Sequence, residues 1–303
     1  MHLAAIDIGS NGARLLISAV LFKKQKPYLK PVEYVRFPLR LGEDVFTHQR
    51  ISLQRIDQML KLLESFKLLM ELYEVSDYLV FATAAMREAK NGEEVIQKIK
   101  SVLGLEMQII SGDQEAEFTN YTLAEFVKKG NNYIHIDVGG GSTEINLFQD
   151  EKKLFSRSYK VGSVRNAQAP EYQQLLVDMK HWINQKVASF VKQETIAIGT
   201  GGNINKIYKL LDRKISRPIK LEEIKTIKEY LEEFTLEERI HKLGLNPDRA
   251  DTIVPAGHIY LLAMETAHAK QMIVPNLGLK DGILAYLLEK NRSKISTYKT
   301  QVF

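Results

Sequence analysis

Apolar residues follow two different periods along the chain, and segments with the two periods alternate. Mainly apolar runs at residues 3–8 and 133–138, each with an aspartate near its end, are typical of buried strands, and each is followed by a second apolar run, at 13–22 and 143–149. In residues 53–73, by contrast, apolar positions recur at the spacing of an amphipathic helix. Strands that alternate with helices predict an α/β fold.

The same two patterns predict the remaining elements. Further strands are predicted at 31–38, 78–85, 106–111, 153–160, 194–198 and 271–275. Further helices are predicted at 92–103, 114–128, 171–190, 202–211, 219–240, 255–268 and 280–290. The polar, turn-rich segment 128–132 predicts two domains, 1–128 and 129–303, with the last helix, about 280–303, able to pack back on the first domain.

Two stretches of the chain repeat one plan. Residues 3–20 read LAAIDIGSNGARLLISAV and residues 133–150 read YIHIDVGGGSTEINLFQD, so that Asp7 and Asp137 head equivalent glycine-rich turns. Such a turn brings backbone amides close to an anion, because glycine has no Cβ and adopts positive φ. One such turn is also typical of an ordinary hairpin. Two copies at equivalent places favour a phosphate site built from two related domains.

The residue types of these turns predict their chemistry. The candidate phosphate-binding residues are Gly9, Ser10, Asn11 and Gly12 in the first turn and Gly139, Gly140, Gly141, Ser142 and Thr143 in the second. A carboxylate repels a phosphate, so Asp7 and Asp137 make sense beside these turns if Mg²⁺, with part of its water shell, lies between them and the phosphate.

Composition limits the class of protein. The 303 residues are enough for two domains, and the absence of cysteine excludes disulfides, cysteine–metal sites and a thiol nucleophile. The net charge of +5 suits a small anionic substrate rather than nucleic acid. Asp7 interrupts the first apolar run and no run is long enough to span a bilayer, so neither a signal peptide nor a membrane partner is expected and a cytoplasmic location is predicted.

A series of short blocks spans nearly the whole chain. The blocks are AAIDIGSNGARLLI (4–17), ATAAMREAKNG (82–92), IISGDQEAEF (109–118), IDVGGGSTEI (136–145), VGSVRN (161–166), IGTGGNINKI (198–207), IVPAGHIYLLAME (253–265) and GLKDGIL (278–284). In this order they resemble the exopolyphosphatase / guanosine pentaphosphate phosphohydrolase (Ppx/GppA) family. The resemblance implies two ribonuclease-H-like domains of the actin/hexokinase/Hsp70 ATPase superfold with an interdomain cleft, in a short form without the C-terminal helical module of the HD type.

The resemblance also implies a role for individual residues. Glu115 matches the family's catalytic glutamate, which positions and activates the attacking water. Arg87 matches the arginine that faces the phosphate chain, and Arg14 the arginine of the first loop. The matches to the metal-holding carboxylates are Asp7, Asp137 and Glu144, for Mg²⁺ or Mn²⁺, and Gly201 and Gly202 of the GTGG block add phosphate contacts. Family members release the terminal phosphate of inorganic polyphosphate, and some convert guanosine pentaphosphate; a homodimer is compatible with the resemblance.

The chain departs from the family pattern at four places. Gly12 replaces a serine, which removes a hydroxyl from the first turn. Gln114 replaces the first glutamate of the family's SGxEEA block and leaves Glu115 as the lone carboxylate there. Asn203 stands for a threonine and Leu277 for an arginine. These changes put the strength of phosphate binding and the choice of substrate in question.

Other interpretations stay open at the level of sequence. Glu115 could simply favour the positive end of a helix, while Arg87 and Glu144 could be surface residues. A kinase or ATPase of the same superfold would need a second-substrate pocket that the sequence does not reveal. A non-catalytic guanosine polyphosphate sensor would not need a carboxylate that aims water, so the intact acidic set favours a hydrolase.

Overall fold

The computed structural model describes residues 1–190, 194–211 and 217–296. Backbone contacts divide these residues into two compact units. Unit 1 consists of residues 1–122 together with the described residues from 279 onward, and unit 2 consists of residues 123–278. The boundary predicted from the sequence, at 128/129, comes a few residues after this division, and residues 297–303 of the predicted last segment lie outside the described part.

The described residues of unit 1 form a five-stranded sheet. Its strands are β1 (His2–Ile8), β2 (Ala13–Lys23), β3 (Lys26–Phe37), β4 (Val75–Ala82) and β5 (Gln108–Ile109). Their order in the sheet is β3-β2-β1-β4-β5. Strand β2 runs antiparallel to both neighbours, whereas β4 and β5 continue the sheet in parallel to β1.

Helices cover both faces of this sheet. They are α1 (Leu41–His48), α2 (Leu53–Leu72), α3 (Ala84–Glu88), α4 (Gly92–Leu103), α5 (Gly112–Leu123) and α12 (Leu279–Lys290). Helix α2 begins where the Ser52 side chain accepts a hydrogen bond from the Arg55 amide, and its buried residues share one core with β1 and β2. Helix α12 buries Ile283 and Leu287 on the opposite face, in one cluster with Leu3 of β1.

The described residues of unit 2 form a six-stranded sheet. Its strands are β6 (Asn132–Val138), β7 (Thr143–Gln149), β8 (Lys152–Tyr159), β9 (Thr195–Thr200), β10 (Ile219–Lys220) and β11 (Gln271–Ile273). Their order is β10-β11-β9-β6-β7-β8, in which β6 pairs antiparallel with β7 and parallel with β9. The short strand β10 extends the edge next to β11.

The helices of unit 2 pack mainly on one face of its sheet. They are α6 (Pro170–Val187), α7 (Gly202–Leu210), α8 (Leu221–Glu232), α9 (Leu236–His241), α10 (Pro247–Ala250) and α11 (Ile253–Thr266). The single helix predicted over 219–240 is therefore wrong. It is interrupted because Thr235 starts a new helix: its side chain accepts from the Glu238 amide and the Glu238 carboxylate accepts from the Thr235 amide.

The two units repeat one topology. Leaving aside β10, strands β8-β7-β6-β9-β11 lie in the same order as β3-β2-β1-β4-β5, and the first hairpin of each unit is antiparallel. This is the ribonuclease-H-like arrangement, so the predicted α/β fold is confirmed. Among the helices of the described residues, none combines the length and apolar content needed to cross a bilayer.

Candidate active site

The turn between β1 and β2 is held from one side. The Gly9 amide donates to the Gly12 carbonyl at 3.1 Å, and the carbonyls of Ser10 and Asn11 accept hydrogen bonds of 2.8 and 3.1 Å from amides at the start of α1. The Ser10 side chain is 3% exposed, and its hydroxyl has no hydrogen-bond partner among the described residues. The carbonyl groups of the turn already accept hydrogen bonds. The amide groups of the turn and the Ser10 hydroxyl are therefore suited to bind an anion.

The carboxylate of Asp7 lies beside a guanidinium. Asp7 and Arg14 are directly opposite each other in the β1–β2 ladder, and Arg14 Nη1 donates to Asp7 Oδ2 at 2.6 Å. The same Nη1 atom is 3.5 Å from the place that a Cβ on Gly9 would take. In the described residues the negative charge of Asp7 is thus matched by Arg14, and the ion pair holds that arginine against the turn.

The N-terminus of α5 positions Glu115. The Ser111 hydroxyl accepts from the Gln114 amide at 3.2 Å, and the Gln114 side chain accepts from the Ser111 amide at 2.9 Å. This reciprocal pair is a capping box, so Gln114 keeps the capping function that glutamate has at this helical position. The Glu115 amide donates to the Ser111 carbonyl at 2.9 Å, which fixes the half-buried Glu115 in the first turn.

Arg87 reaches the same segment from α3. Its Nη1 atom donates to the Ile110 carbonyl at 2.5 Å, just before α5 begins. The α3 backbone is fixed in turn, because the Thr83 amide donates to the Ile8 carbonyl at the end of β1. The side chain of Arg87 thus contacts the segment that leads to the helix of Glu115, and the residue before α3 contacts the end of β1.

The turn between β6 and β7 repeats the first turn with different support. The Gly139 amide donates to the Ser142 carbonyl at 2.9 Å. The Gly140 carbonyl accepts from the Val164 amide at 2.9 Å, and the VGSVRN segment approaches so closely that a Cβ on Gly162 would overlap the Gly140 carbonyl. Arg165, which sequence reasoning did not single out, donates from Nε to the Gly141 carbonyl at 2.5 Å.

Thr143 and Glu144 have different tasks at the start of β7. Thr143 is fully buried, and its hydroxyl donates to the Val161 carbonyl at 2.7 Å, so its side chain supports the turn from within. Glu144 is opposite Asp137 in the β6–β7 ladder and is 3% exposed. Ser158 of β8 donates to Glu144 Oε1 at 2.7 Å and fixes that carboxylate.

The GTGG block lies against the Asp137 carboxylate. Gly201 has φ 108°, and a Cβ there would be 3.1 Å from Asp137 Oδ1, so both conformation and space require glycine. Next to it, the Arg249 guanidinium fills the space beside Gly202 and donates to Asn203 Oδ1 at 3.1 Å. Asn203 also donates to the Thr252 carbonyl at 3.3 Å. The amide side chain at this departure from the family pattern therefore joins two segments.

A buried cluster of polar side chains surrounds His135, two residues before Asp137 on β6. The Asn146 side-chain amide donates to His135 Nδ1 at 3.0 Å, so that Nε2 carries the proton and donates to Thr200 Oγ1 at 2.8 Å. Burial lowers the pKa of His135 to about 3, which keeps the imidazole neutral at physiological pH. This cluster holds β7 and β9 on either side of the strand that ends in Asp137.

Equivalent rows of the two sheets carry opposite charge. Across β1, β2 and β3 the register aligns Asp7, Arg14 and Arg36; across β6, β7 and β8 it aligns Asp137, Glu144 and Ser158. The first row thus carries one negative and two positive side chains, and the second carries two carboxylates. Arg36 was not recognised from the sequence, because only strand register places it beside the first turn.

The acidic row fits a divalent cation. Asp137 and Glu144 are neighbouring oxygen donors, and Mg²⁺ commonly binds one or two carboxylates, completing its shell with water and substrate phosphate. Within residues 1–190, 194–211 and 217–296, no group of three or more acidic, histidine or cysteine side chains is placed to hold a metal. Two carboxylates are therefore what this sheet offers.

The repeated ribonuclease-H-like topology defines a protein of the actin/hexokinase/Hsp70 superfold. Residues 20–291 match the family model of the Ppx/GppA phosphatase family, and the chain belongs to that family. Membership of this phosphatase family confirms the predicted enzyme class, a phosphoanhydride hydrolase.

Relatives cover the chain almost completely. Exopolyphosphatase 1 of Mycobacterium tuberculosis is 21% identical over 95% of this chain and 89% of its own length. The guanosine-5'-triphosphate,3'-diphosphate pyrophosphatase of Vibrio cholerae is 23% identical over 96% of this chain and 60% of its own length. The crystal structure of the Aquifex aeolicus Ppx/GppA family member is 25% identical, with a TM-score of 0.74 over 96% of this chain and 98% of that one.

Proposed function

We propose that this protein is an exopolyphosphatase, a Mg²⁺-dependent hydrolase that releases the terminal phosphate of inorganic polyphosphate, with guanosine pentaphosphate as a second candidate substrate. The observation that carries the proposal is the opposite charge of the two equivalent rows. A hydrolase of polyanions needs cations for the phosphate oxygens and carboxylates for a metal ion. Relatives named for polyphosphate and for guanosine polyphosphate both support this substrate class.

Unit 1 has the task of binding and water activation in this proposal. The amides of the Gly9–Gly12 turn, the Ser10 hydroxyl and the Arg14 guanidinium bind phosphate oxygens. Glu115 accepts a proton from the attacking water, which adds to the terminal phosphorus while the bond to the bridging oxygen breaks. Arg87 binds the same phosphates. It also donates a hydrogen bond to the Ile110 carbonyl and so supports the segment that leads to Glu115.

Unit 2 has the task of metal binding. Asp137 and Glu144 would hold Mg²⁺ or Mn²⁺, and Gly139–Ser142 together with Gly201 and Gly202 supply further phosphate contacts. When bound, the ion supplies positive charge that stabilises the oxygens of the transferred and leaving phosphates. Ser158 keeps Glu144 oriented for this purpose.

The proposal is tested by measuring phosphate release from polyphosphates of several lengths, from guanosine pentaphosphate and from ATP, each with and without Mg²⁺. We expect metal-dependent release from polyphosphate that exceeds release from ATP. Release from ATP alone would favour an ATPase or kinase of the same superfold, and binding of guanosine polyphosphates without release would favour a sensor.

A further inference from the structure

Arg36 is the third member of the row that begins with Asp7 and Arg14. It lies opposite Arg14 in the β2–β3 ladder, and all three side chains share one face of the sheet. Its Nη2 atom lies 3.3 Å from the place that a Cβ on Gly12 would take, just as Arg14 Nη1 lies 3.5 Å from the corresponding place on Gly9. The two guanidinium groups therefore stand at the two ends of the same turn.

The glycine at position 12 is explained by the same geometry. A Cβ there would be 2.9 Å from the Phe37 carbonyl oxygen, closer than a side-chain Cβ approaches other atoms, and 3.3 Å from the Arg36 guanidinium. A serine at this position, as the family pattern has, is thus sterically opposed by β3 and by Arg36. Relative to the family pattern, the turn lacks the serine hydroxyl, and the Arg36 guanidinium lies next to the place that this side chain would take.

We propose that Arg36 is a substrate-binding residue that replaces the missing hydroxyl and, together with Arg14, binds neighbouring phosphates of one chain at the Gly9–Gly12 turn. This inference rests on the proposed function, since it specifies how that substrate is recognised. Two arginines at the ends of one turn suit a ligand with at least two linked phosphates, because each planar guanidinium binds a separate phosphate bidentately. The buried Ser10 hydroxyl, which has no partner among the described residues, lies between them in the turn.

The test is calorimetric binding of tripolyphosphate to the metal-free protein. We compare the wild type with Arg36→Gln, Arg36→Lys and a matched control, Arg157→Gln. Arg157 lies on β8, the strand of unit 2 equivalent to β3, where it is exposed and stacks over the Tyr159 ring. Arg36→Gln and Arg157→Gln each remove one positive charge, but only Arg36→Gln removes it from beside the Gly9–Gly12 turn.

We expect Arg36→Gln to weaken tripolyphosphate binding about tenfold and to flatten its dependence on salt. Arg36→Lys should recover part of the affinity, orthophosphate binding should change less, and Arg157→Gln should bind tripolyphosphate as the wild type does. In the hydrolysis assay, Arg36→Gln should raise KM more than it lowers kcat. A merely structural role would not produce this rescue or this salt dependence.

Unchanged binding by Arg36→Gln, an equal loss in Arg157→Gln, or a wild type that binds no tripolyphosphate would each overturn the assignment. Failure of the hydrolase proposal is distinguishable from these results. In that case the wild type would bind tripolyphosphate in an Arg36-dependent manner and yet release no phosphate from any substrate.

Discussion

The carboxylate of Asp7 and the guanidinium of Arg14 meet at 2.6 Å across the first hairpin, whereas the equivalent positions of the second hairpin hold two carboxylates, Asp137 and Glu144. The two hairpins share one strand–turn–strand plan, but the aspartate of the first faces an arginine and the aspartate of the second faces a glutamate. In the proposed function, Asp137 and Glu144 hold the metal ion and Arg14 binds phosphate.

Metal dependence should therefore respond to unit 2 alone. We expect Asp137→Asn and Glu144→Gln to raise the Mg²⁺ concentration for half-maximal phosphate release about tenfold or more, because each removes one of two carboxylate ligands. Asp7→Asn should leave that concentration nearly unchanged and raise KM instead, because the Arg14 guanidinium loses its ion pair with Asp7. A Mg²⁺ titration of each variant measures this, and an equal shift in Asp7→Asn would favour Asp7 as a third metal ligand.

Water activation should depend on Glu115. Replacing it with glutamine keeps the shape of the first turn of α5 and removes the proton acceptor, so kcat should fall about 10²–10⁴-fold with little change in tripolyphosphate binding. Glu117 lies on the same helix but is exposed, and Glu117→Gln should retain wild-type kcat. Steady-state kinetics of both variants with polyphosphate decide the point; near-normal turnover by a folded Glu115→Gln protein would refute the assignment.

The second turn should be intolerant of bulk at Gly162. An alanine there overlaps the Gly140 carbonyl, so Gly162→Ala should lower the free energy of unfolding by about 1–3 kcal/mol and reduce phosphate release. Apart from its two chain neighbours, no described residue comes within 4 Å of a Cβ built on Gly278, and Gly278→Ala serves as the matched control. Denaturant unfolding measures both. Equal stability of the two variants would show that the VGSVRN segment does not need its close approach.

The attachment of α12 to β4 should weaken in acid. Asp77 accepts hydrogen bonds from Lys290 at 3.0 Å and from Asn291 at 2.9 Å. Burial alone would raise the pKa of Asp77, but the hydrogen bonds from Asn291 and Lys290 outweigh it and hold that pKa below its ordinary value of 3.8. A lowered carboxyl pKa stabilises the folded protein above pH 3.8, and the stabilisation is lost as the pH falls through the lower folded value.

Asp77→Asn should accordingly lower Tm at pH 7, and the difference from the wild type should shrink as the pH falls below 3.8. Asp57→Asn is the matched control, because Asp57 pairs with Lys61 on the exposed side of α2 and such pairs contribute little. Thermal melts at several pH values measure both variants. A Tm difference that is independent of pH would rule out the charge of Asp77 as its source.

The hairpins and their acidic residues could be predicted from sequence because their signals are local. An apolar run, an aspartate and a glycine-rich turn specify strand, turn and strand within about 18 residues. The break between α8 and α9 was also encoded, in the Thr235–Glu238 capping box, although helical periodicity on both sides concealed it. Helix α1 carries no such signal: its N-cap is Arg40, which has a positive φ of 53° and makes no capping side-chain hydrogen bond.

The basic half of the site depends on tertiary structure. Arg36 is one polar residue in an edge strand, and only its register with Arg14 brings it to the turn. Arg249 lies in the short helix α10, and only the packing of that helix places its guanidinium beside Gly202. The pairing of Asp7 with Arg14 was missed for a related reason: both residues were recognised, but their cross-strand contact follows from the ladder.

The most direct test of the account is hydrolysis of polyphosphate in water enriched in oxygen-18 with Mg²⁺ present. The account predicts that the wild type releases orthophosphate carrying one labelled oxygen from solvent, and that Glu115→Gln binds the chain but releases almost none. Release of no labelled orthophosphate by the wild type, or equal release by Glu115→Gln, would contradict it.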